Sequence, residues 1–454
     1  MTFLTFILAA VIGLVPAPVE YSPNTCHTSF KKAVASLEPW QREEAYRLTI
    51  KGKKVKIEAL TDEGRFRASM SLEQLRALGE LPQGTIFDYP RLRHRGLMID
   101  ESRSFHGLDF LKKQVDAMAL LKLNVLHLHL DDSAGWRIES ESYPGLPSAD
   151  GLYYTKEQLR ELVAYAAERY ISVIPEVEMP GHSREVGQAY PETVCAPGSW
   201  DLCPGSEATY RLLESVLEEV MEVFPSELIH IGGDEASMEN WGSCPRCRAL
   251  MEREGYTSVK ELQGYLVRRI EAFLRARGRR IIGWDEILDT GIPDGAVVQS
   301  WRGVSGGLKA SALGHDVIMS PNSHLYLDYY QDLIRKEPRA VGELTSLRWV
   351  YGYEPLAEGM APERLLGIQG NLWTELVPTA EHAEYMLYPR LFAIAETAWS
   401  PSSAKEWENF RLRARALMDV FRALGYNTFD MDTESDLARS GYRTFGEYEA
   451  SGKK

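Results

Sequence analysis

Two hydrophobic rhythms divide the chain. In the first, residues 47–51 (RLTIK) and 53–59 (KKVKIEA) alternate apolar and polar side chains, the period of a half-buried strand. Residues 71–78 (SLEQLRAL) follow with apolar positions at helical spacing. This predicts a small α+β domain over residues 15–88, with the stretch from Asp88 to Arg91 as its exit linker.

The second rhythm begins near residue 94. Short, almost continuous apolar runs recur at 96–100, 124–130, 171–177, 228–233, 280–284, 296–301, 316–320 and 367–372. Amphipathic stretches at 108–121, 155–170, 207–224 and 258–277 lie between them. Strands buried on both faces read as runs rather than alternations. Eight β–α repeats predict an α/β fold, a (β/α)8 TIM barrel over residues 89–454 that closes with a C-terminal helical tail. The helical signal after the fifth run is weak, and 321–364 reads as a long insertion, an active-site loop.

Residues 1–14 are apolar, long enough for the core of a signal segment and too short to span a membrane. They lack a basic start and a clean cleavage pattern, and a first strand is the rival reading. The expectation is a secreted or periplasmic protein, with a cytoplasmic location as the alternative. No later stretch has the length and apolarity of a membrane span.

Composition changes this picture little. Hydrophobic residues make up 44% and charged residues 26%, as in ordinary globular chains. A net charge of −14 speaks against a nucleic-acid partner, because there is no basic excess to displace counterions. Ten Trp and 22 Tyr suit either a large core or a sugar site. Cys244 and Cys247 have metal or redox spacing, and with two of Cys26, Cys195 and Cys203 they offer a structural zinc site or two disulfides. A zinc site requires four converging ligands. Nothing in the sequence brings these segments together, so no metal and no cofactor is assigned.

Barrel chemistry gathers at the C-terminal ends of the strands. Asp100, Asp132, Glu178, Asp234, Glu235, Trp284, Trp301, Tyr326, Trp373 and Glu375 fall there, with His182 just past the third strand. Carboxylates with flat aromatic walls fit a sugar. In His230-Ile-Gly-Gly-Asp-Glu235 the two acids reach one pocket only if the backbone turns, which the glycines permit. Two neighbouring carboxyls can differ in pKa through their surroundings, one protonated as the acid and the other anionic. An N-cap acid followed by a salt-bridge acid is the plain alternative for that hexapeptide.

The chain resembles the family 20 glycoside hydrolases, the β-N-acetylhexosaminidases. The resemblance runs from the small domain to about Trp399. It rests on blocks at 94–100, 122–130, 135–137, 174–182, 230–235, 283–286, 298–302, 326–328 and 367–375. It implies a retaining enzyme that removes terminal β-linked GlcNAc or GalNAc from an oligosaccharide or glycoconjugate. The family is a substrate-assisted exception to the two-carboxylate scheme. Glu235, protonated, would then be the general acid/base beside an ionised Asp234, which would hold the acetamido N–H, and Tyr326 would donate to the acetamido oxygen. Trp284, Trp301 and Trp373 would wall the acetamido pocket. Arg95, Glu375 and Asp328 would hold hydroxyls, and Asp132 with His182 would support the acid. His127 and His129 read as structural, barrel-interior residues.

The chain departs from the family pattern at Asp131, Ser133, Ala134 and Glu178, which puts the contacts behind the acid in question. Two alternatives stay open: a sugar-binding protein without turnover, and a barrel hydrolase whose nucleophile is Glu176, Glu178 or Glu286.

Overall fold

The computed structural model describes residues 13–23, 28–148, 150–333, 337–444, 447 and 450. Most of the signal-like segment, residues 1–12, and Cys26 lie outside them. Gly13 and Leu14, read with that segment, belong to the folded body, where Leu14 is fully buried among Tyr46, Leu48 and Leu75.

The alternating segments form an antiparallel sheet in the order Glu20–Ser22, Gly84–Asp88, Tyr46–Lys51, Lys54–Ala59. Its helix, Asp62–Ala77, is twice as long as the apolar spacing suggested, because Thr61 caps it by accepting from Gly64 N at 3.0 Å. The small core is completed from outside: Trp399 packs into it and donates Nε1–H to Asp88 at 2.9 Å.

The eight apolar runs close into a parallel barrel in sequence order. The strands are His94–Asp100, Val125–His129, Ser172–Glu176, Leu228–His230, Arg280–Trp284, Val297–Ser300, Asp316–Met319 and Leu365–Leu372. The last pairs with the first, Gly367 against His94 through Leu372 against Ile99. Strand alternation sorts the side chains. Leu126 and Leu128 point outward to the helices, while Val125, Ile174, Ile282, Val297 and Ile318 plug the bottom of the barrel. Above that plug the interior turns polar, with His127, His129, Glu176, His230 and Gln369 all buried.

The weak helix after the fifth strand is a short 3-10 turn, Asp285–Asp289. The insertion carries a two-strand ladder, Tyr329–Tyr330 against Val341–Leu344. Arg390, fully buried, pins it by donating to Tyr329 O at 2.8 Å and Thr345 O at 3.0 Å. Helices Trp407–Ala423 and Asp436–Ser440 form the tail. Among the described residues no helix is long and apolar enough to cross a membrane.

Candidate active site

The fourth strand ends in a forced turn. Gly232 and Gly233 take φ values of +63° and +94°, and Glu235 itself sits at +46°. A side chain at Gly232 would place Cβ 1.9 Å from Glu178 Oε2, and one at Gly233 would lie 2.5 Å from Ile287 Cγ2. Only glycine fits both the dihedrals and the space. The turn sends Asp234 and Glu235 into one cavity of about 150 Å³, lined by Arg103, His182, Trp301, Tyr326, Asp328, Tyr329, Val341, Trp373 and Glu375. A larger hollow of about 600 Å³ lies at the opposite end of the barrel, between its floor and the small domain. It lies at the N-terminal ends of the strands, away from the end where barrel chemistry gathers, so size does not locate the chemistry.

Most residues expected from the sequence meet here. Trp301 stacks on Tyr326 with centroids 6.1 Å apart, and Tyr326 lies 6.2 Å from Trp373. Trp301 is fixed by donating Nε1–H to Glu286 at 2.9 Å. Trp284 lies one layer deeper than expected. It is buried, 5.9 Å from Trp373, and donates Nε1–H to Glu176 at 2.9 Å, so it backs the cavity rather than lining it.

The hydroxyl-binding role expected of Arg95 is corrected. Arg95 opens the first strand and therefore lies at the barrel floor, fully buried. It pairs with Glu44 of the small domain and donates to Lys122 O and Leu92 O, each at 2.9 Å. The arginine at the mouth is Arg103, three residues past that strand's C-terminal Asp100. Its guanidinium lies 3.2 Å from Asp100 and 2.6 Å from Asp132, with Cζ 5.0 Å over the Trp373 ring. Glu375 stands 3.7 Å away. Its signal in the sequence was an arginine just past a strand's C-terminal end.

Behind the acid runs a continuous polar chain. Glu176 contacts His129, which meets Asp132 at 3.2 Å; Asp132 lies 3.0 Å from His182 Nδ1, and His182 Nε2 lies 3.4 Å from Glu235. Burial opposes a charge on His182, but Asp132, Glu235 and Asp234 outweigh it and raise its pKa to about 10. Burial also works against ionisation of Asp132, yet His129, His182 and Arg103 hold it well below the usual carboxylate range.

In the ligand-free molecule the two shifts run against the proton placement expected from the sequence. Burial raises Asp234, only partly offset by His182. The close contact with His182, 3.4 Å away, lowers Glu235 against the effect of burial. Glu235 has a half-exposed side chain that water still solvates, whereas Asp234 does not.

Two buried carboxylate oxygens of the cavity-lining residues, Asp234 Oδ1 and Asp328 Oδ1, have no hydrogen-bond partner among the described residues. Unpaired buried acceptors are costly, so donors from a ligand are the natural complement. Burial, reinforced by Glu375, also raises Asp328. Glu176 and Glu178 are fully buried away from the cavity, and Glu286 is engaged with Trp301, so none of the alternative nucleophiles lines it.

Residues 92–402 match the glycosyl hydrolase family 20 catalytic domain, and residues 9–89 match domain 2 of the same family. A Porphyromonas gingivalis β-hexosaminidase is 38% identical over 81% of this chain, which spans 52% of that relative's length. A β-hexosaminidase of Akkermansia muciniphila is 36% identical over 82% of this chain and 83% of its own. Among solved structures, a Vibrio harveyi exo-β-N-acetylglucosaminidase in complex with N-acetylglucosamine is 29% identical, with a TM-score of 0.80 over 92% of this chain and 78% of that one. A mutant Streptomyces plicatus β-hexosaminidase in complex with product GlcNAc is 26% identical, with a TM-score of 0.78 over 93% and 97%.

Proposed function

The chain belongs to glycosyl hydrolase family 20, and from that membership we propose that it is a retaining exo-β-N-acetylhexosaminidase acting through the substrate's own 2-acetamido group. The observation that carries the reading is the unpaired Asp234 Oδ1 beside Glu235 in a tryptophan-walled cavity. Asp234 accepts the acetamido N–H, and Tyr326 donates to the acetamido oxygen, so that oxygen is held against C1. An internal nucleophile held in this way has a high effective concentration.

In the first step the acetamido oxygen bonds to C1 and the glycosidic bond breaks. The leaving oxygen takes the proton of Glu235, and an oxazolinium-like ring remains. A bound sugar removes water from Glu235 and so raises its proton affinity, while the charged His182, 3.4 Å away, is the adjacent proton source. In the second step water attacks C1, Glu235 accepts its proton and the acetamido group is restored. Ionised Asp234 favours the cationic intermediate by its negative charge. Arg103, Asp328 and Glu375 hold hydroxyls with donors and acceptors of both kinds.

The test is Glu235→Gln assayed on aryl N-acetyl-β-D-glucosaminides of graded leaving-group acidity. A loss of roughly 10²–10⁴-fold that shrinks for leaving groups needing no proton is expected. An equal loss across the series, or binding without turnover by the unaltered chain, counts against the reading.

A further inference from the structure

Cys195 and Cys203 lie on one segment, Cys244 and Cys247 at the start of the helix Pro245–Glu254, and no local pattern in the sequence joins the two. In the fold they meet. Cys195 Sγ lies 3.6 Å from Cys247 Sγ, and Cys203 Sγ lies 3.8 Å from Cys244 Sγ and 3.5 Å from Cys247 Sγ. All four sulfurs lie within 4.8 Å of one another. Cys203, Cys244 and Cys247 are buried, walled by Trp241, Leu250 and Leu262.

We propose that these four cysteines bind one zinc ion as a tetrathiolate structural site, pinning the loop that follows His182 to the loop that carries Asp234 and Glu235. A tetrahedron with Zn–S bonds of ~2.3 Å has ligand sulfurs about 3.8 Å apart, which matches the contacts seen. A disulfide would hold its pair at about 2.05 Å and leave the other two sulfurs to be placed separately. Four soft ligands in a closed, apolar setting are the donor set that selects zinc over harder cations.

The surroundings fit a cluster of thiolates. Cys244 caps the helix Pro245–Glu254 and Cys247 lies in its first turn, where the free N–H groups favour negative charge. The Arg246 guanidinium stands beside Cys203 and Cys244 while donating to Glu192 O at 2.9 Å. Gly205 lets the first loop press against the second, since a Cβ there would lie 2.5 Å from Cys247 N. The seam between the loops continues toward the catalytic turn. Asp201 accepts from Ser237 N at 2.9 Å and Met238 N at 2.7 Å, and Trp241 donates Nε1–H to Leu202 O at 3.1 Å.

The full chain, purified without chelator, is analysed for metal directly and again after reduction, zinc addition and desalting. About one zinc per chain is expected, released in step with four thiols on titration with a mercurial and read by a chromogenic chelator. Cys195→Ser should lower retained zinc at least tenfold, and Cys26→Ser should leave it unchanged. If Cys195→Ser fails to fold, the zinc and thiol counts of the unaltered chain still decide. Zinc below about a tenth of a mole per chain after reconstitution, iron in its place, or four cysteines paired as two disulfides that reform in the folded protein would overturn the proposal.

Discussion

His182 bridges Asp132 and Glu235, with Nδ1 3.0 Å from one carboxylate and Nε2 3.4 Å from the other. The imidazole is held charged between two anions, and φ of +51° at His182 places it there at some backbone cost. The pair His182–Glu235 therefore stores one proton at neutral pH. In the free protein that proton rests on the imidazole; in the proposed reaction it has to reach the glycosidic oxygen.

Asp132→Asn should move the basic limb of kcat/KM to lower pH. With Asp132 ionised, the His182 proton is retained up to about pH 10. Removing that anion lowers the imidazole pKa, so the pair loses its proton earlier as pH rises. The accompanying loss at the optimum should be about 10- to 150-fold, the worth of a hydrogen bond to a charged group. A pH profile with an unmoved basic limb would assign Asp132 a packing role only. Arg103 also contacts Asp132, so the comparison is made within the pH profile and not on rate alone.

Arg95 and Arg103 should separate stability from binding. Arg103→Ala is expected to lower kcat/KM by about 10- to 150-fold, chiefly through KM, because its guanidinium lines the cavity proposed to take the sugar. Arg95→Met leaves the buried Glu44 with Arg67 alone, at 2.8 Å, and should destabilise by about 3–5 kcal/mol while sparing kcat of the folded protein. Glu44 is held below the usual range by Arg95 and Arg67 despite burial. Its contribution is present above the unfolded carboxylate value of about 4.3 and is lost as pH falls through the folded value. The Arg95→Met penalty, read by denaturant melts, should therefore shrink in acid.

That contrast also marks what could be read from the chain itself. The eight strands were legible because each is a buried run, and the acid pair because two glycines precede it at a strand end. Arg95 lies at the start of the first strand and Arg103 just past its end, and only the strand's direction decides which one reaches the cavity. Motif resemblance favoured the wrong end, whereas strand polarity alone favours Arg103. The opposite shifts of Asp234 and Glu235 were not legible either, since they depend on how much water each side chain keeps. The four cysteines belong to loops whose meeting is a tertiary event with no local signature.

Gly232→Ala should abolish the site while Gly352→Ala should not. At Gly232 the added Cβ meets Glu178 at 1.9 Å with φ at +63°, whereas at Gly352 nothing lies within 4 Å. Strained backbone of this kind costs roughly 1–3 kcal/mol before the overlap is counted. Thermal melts and aryl glycoside turnover should show a large loss of both for the first variant. Near-normal behaviour is expected of the second. A Gly232→Ala protein with normal turnover would mean that the catalytic turn tolerates a different path.

Fluorination of the substrate's acetyl group should slow the reaction in proportion to the electrons withdrawn. The proposed nucleophile is the acetamido oxygen, so replacing CH3 by CH2F, CHF2 and CF3 weakens attack stepwise with little change in size. A total fall in kcat of roughly 10²-fold or more, about 2.7 kcal/mol in barrier, is expected between the ends of the series. An enzymic carboxylate nucleophile would leave the rate nearly flat, and Glu176, Glu178 and Glu286 would then return as candidates despite lying off the cavity wall. Size is a separate variable, controlled by an N-propionyl substrate. The slot between Trp301, Tyr326 and Trp373 should reject the extra methylene, and Trp301→Ala should relax that rejection while leaving the fluorine dependence in place. If Trp301→Ala also flattened the fluorine series, attack by the amide would not be what the pocket promotes.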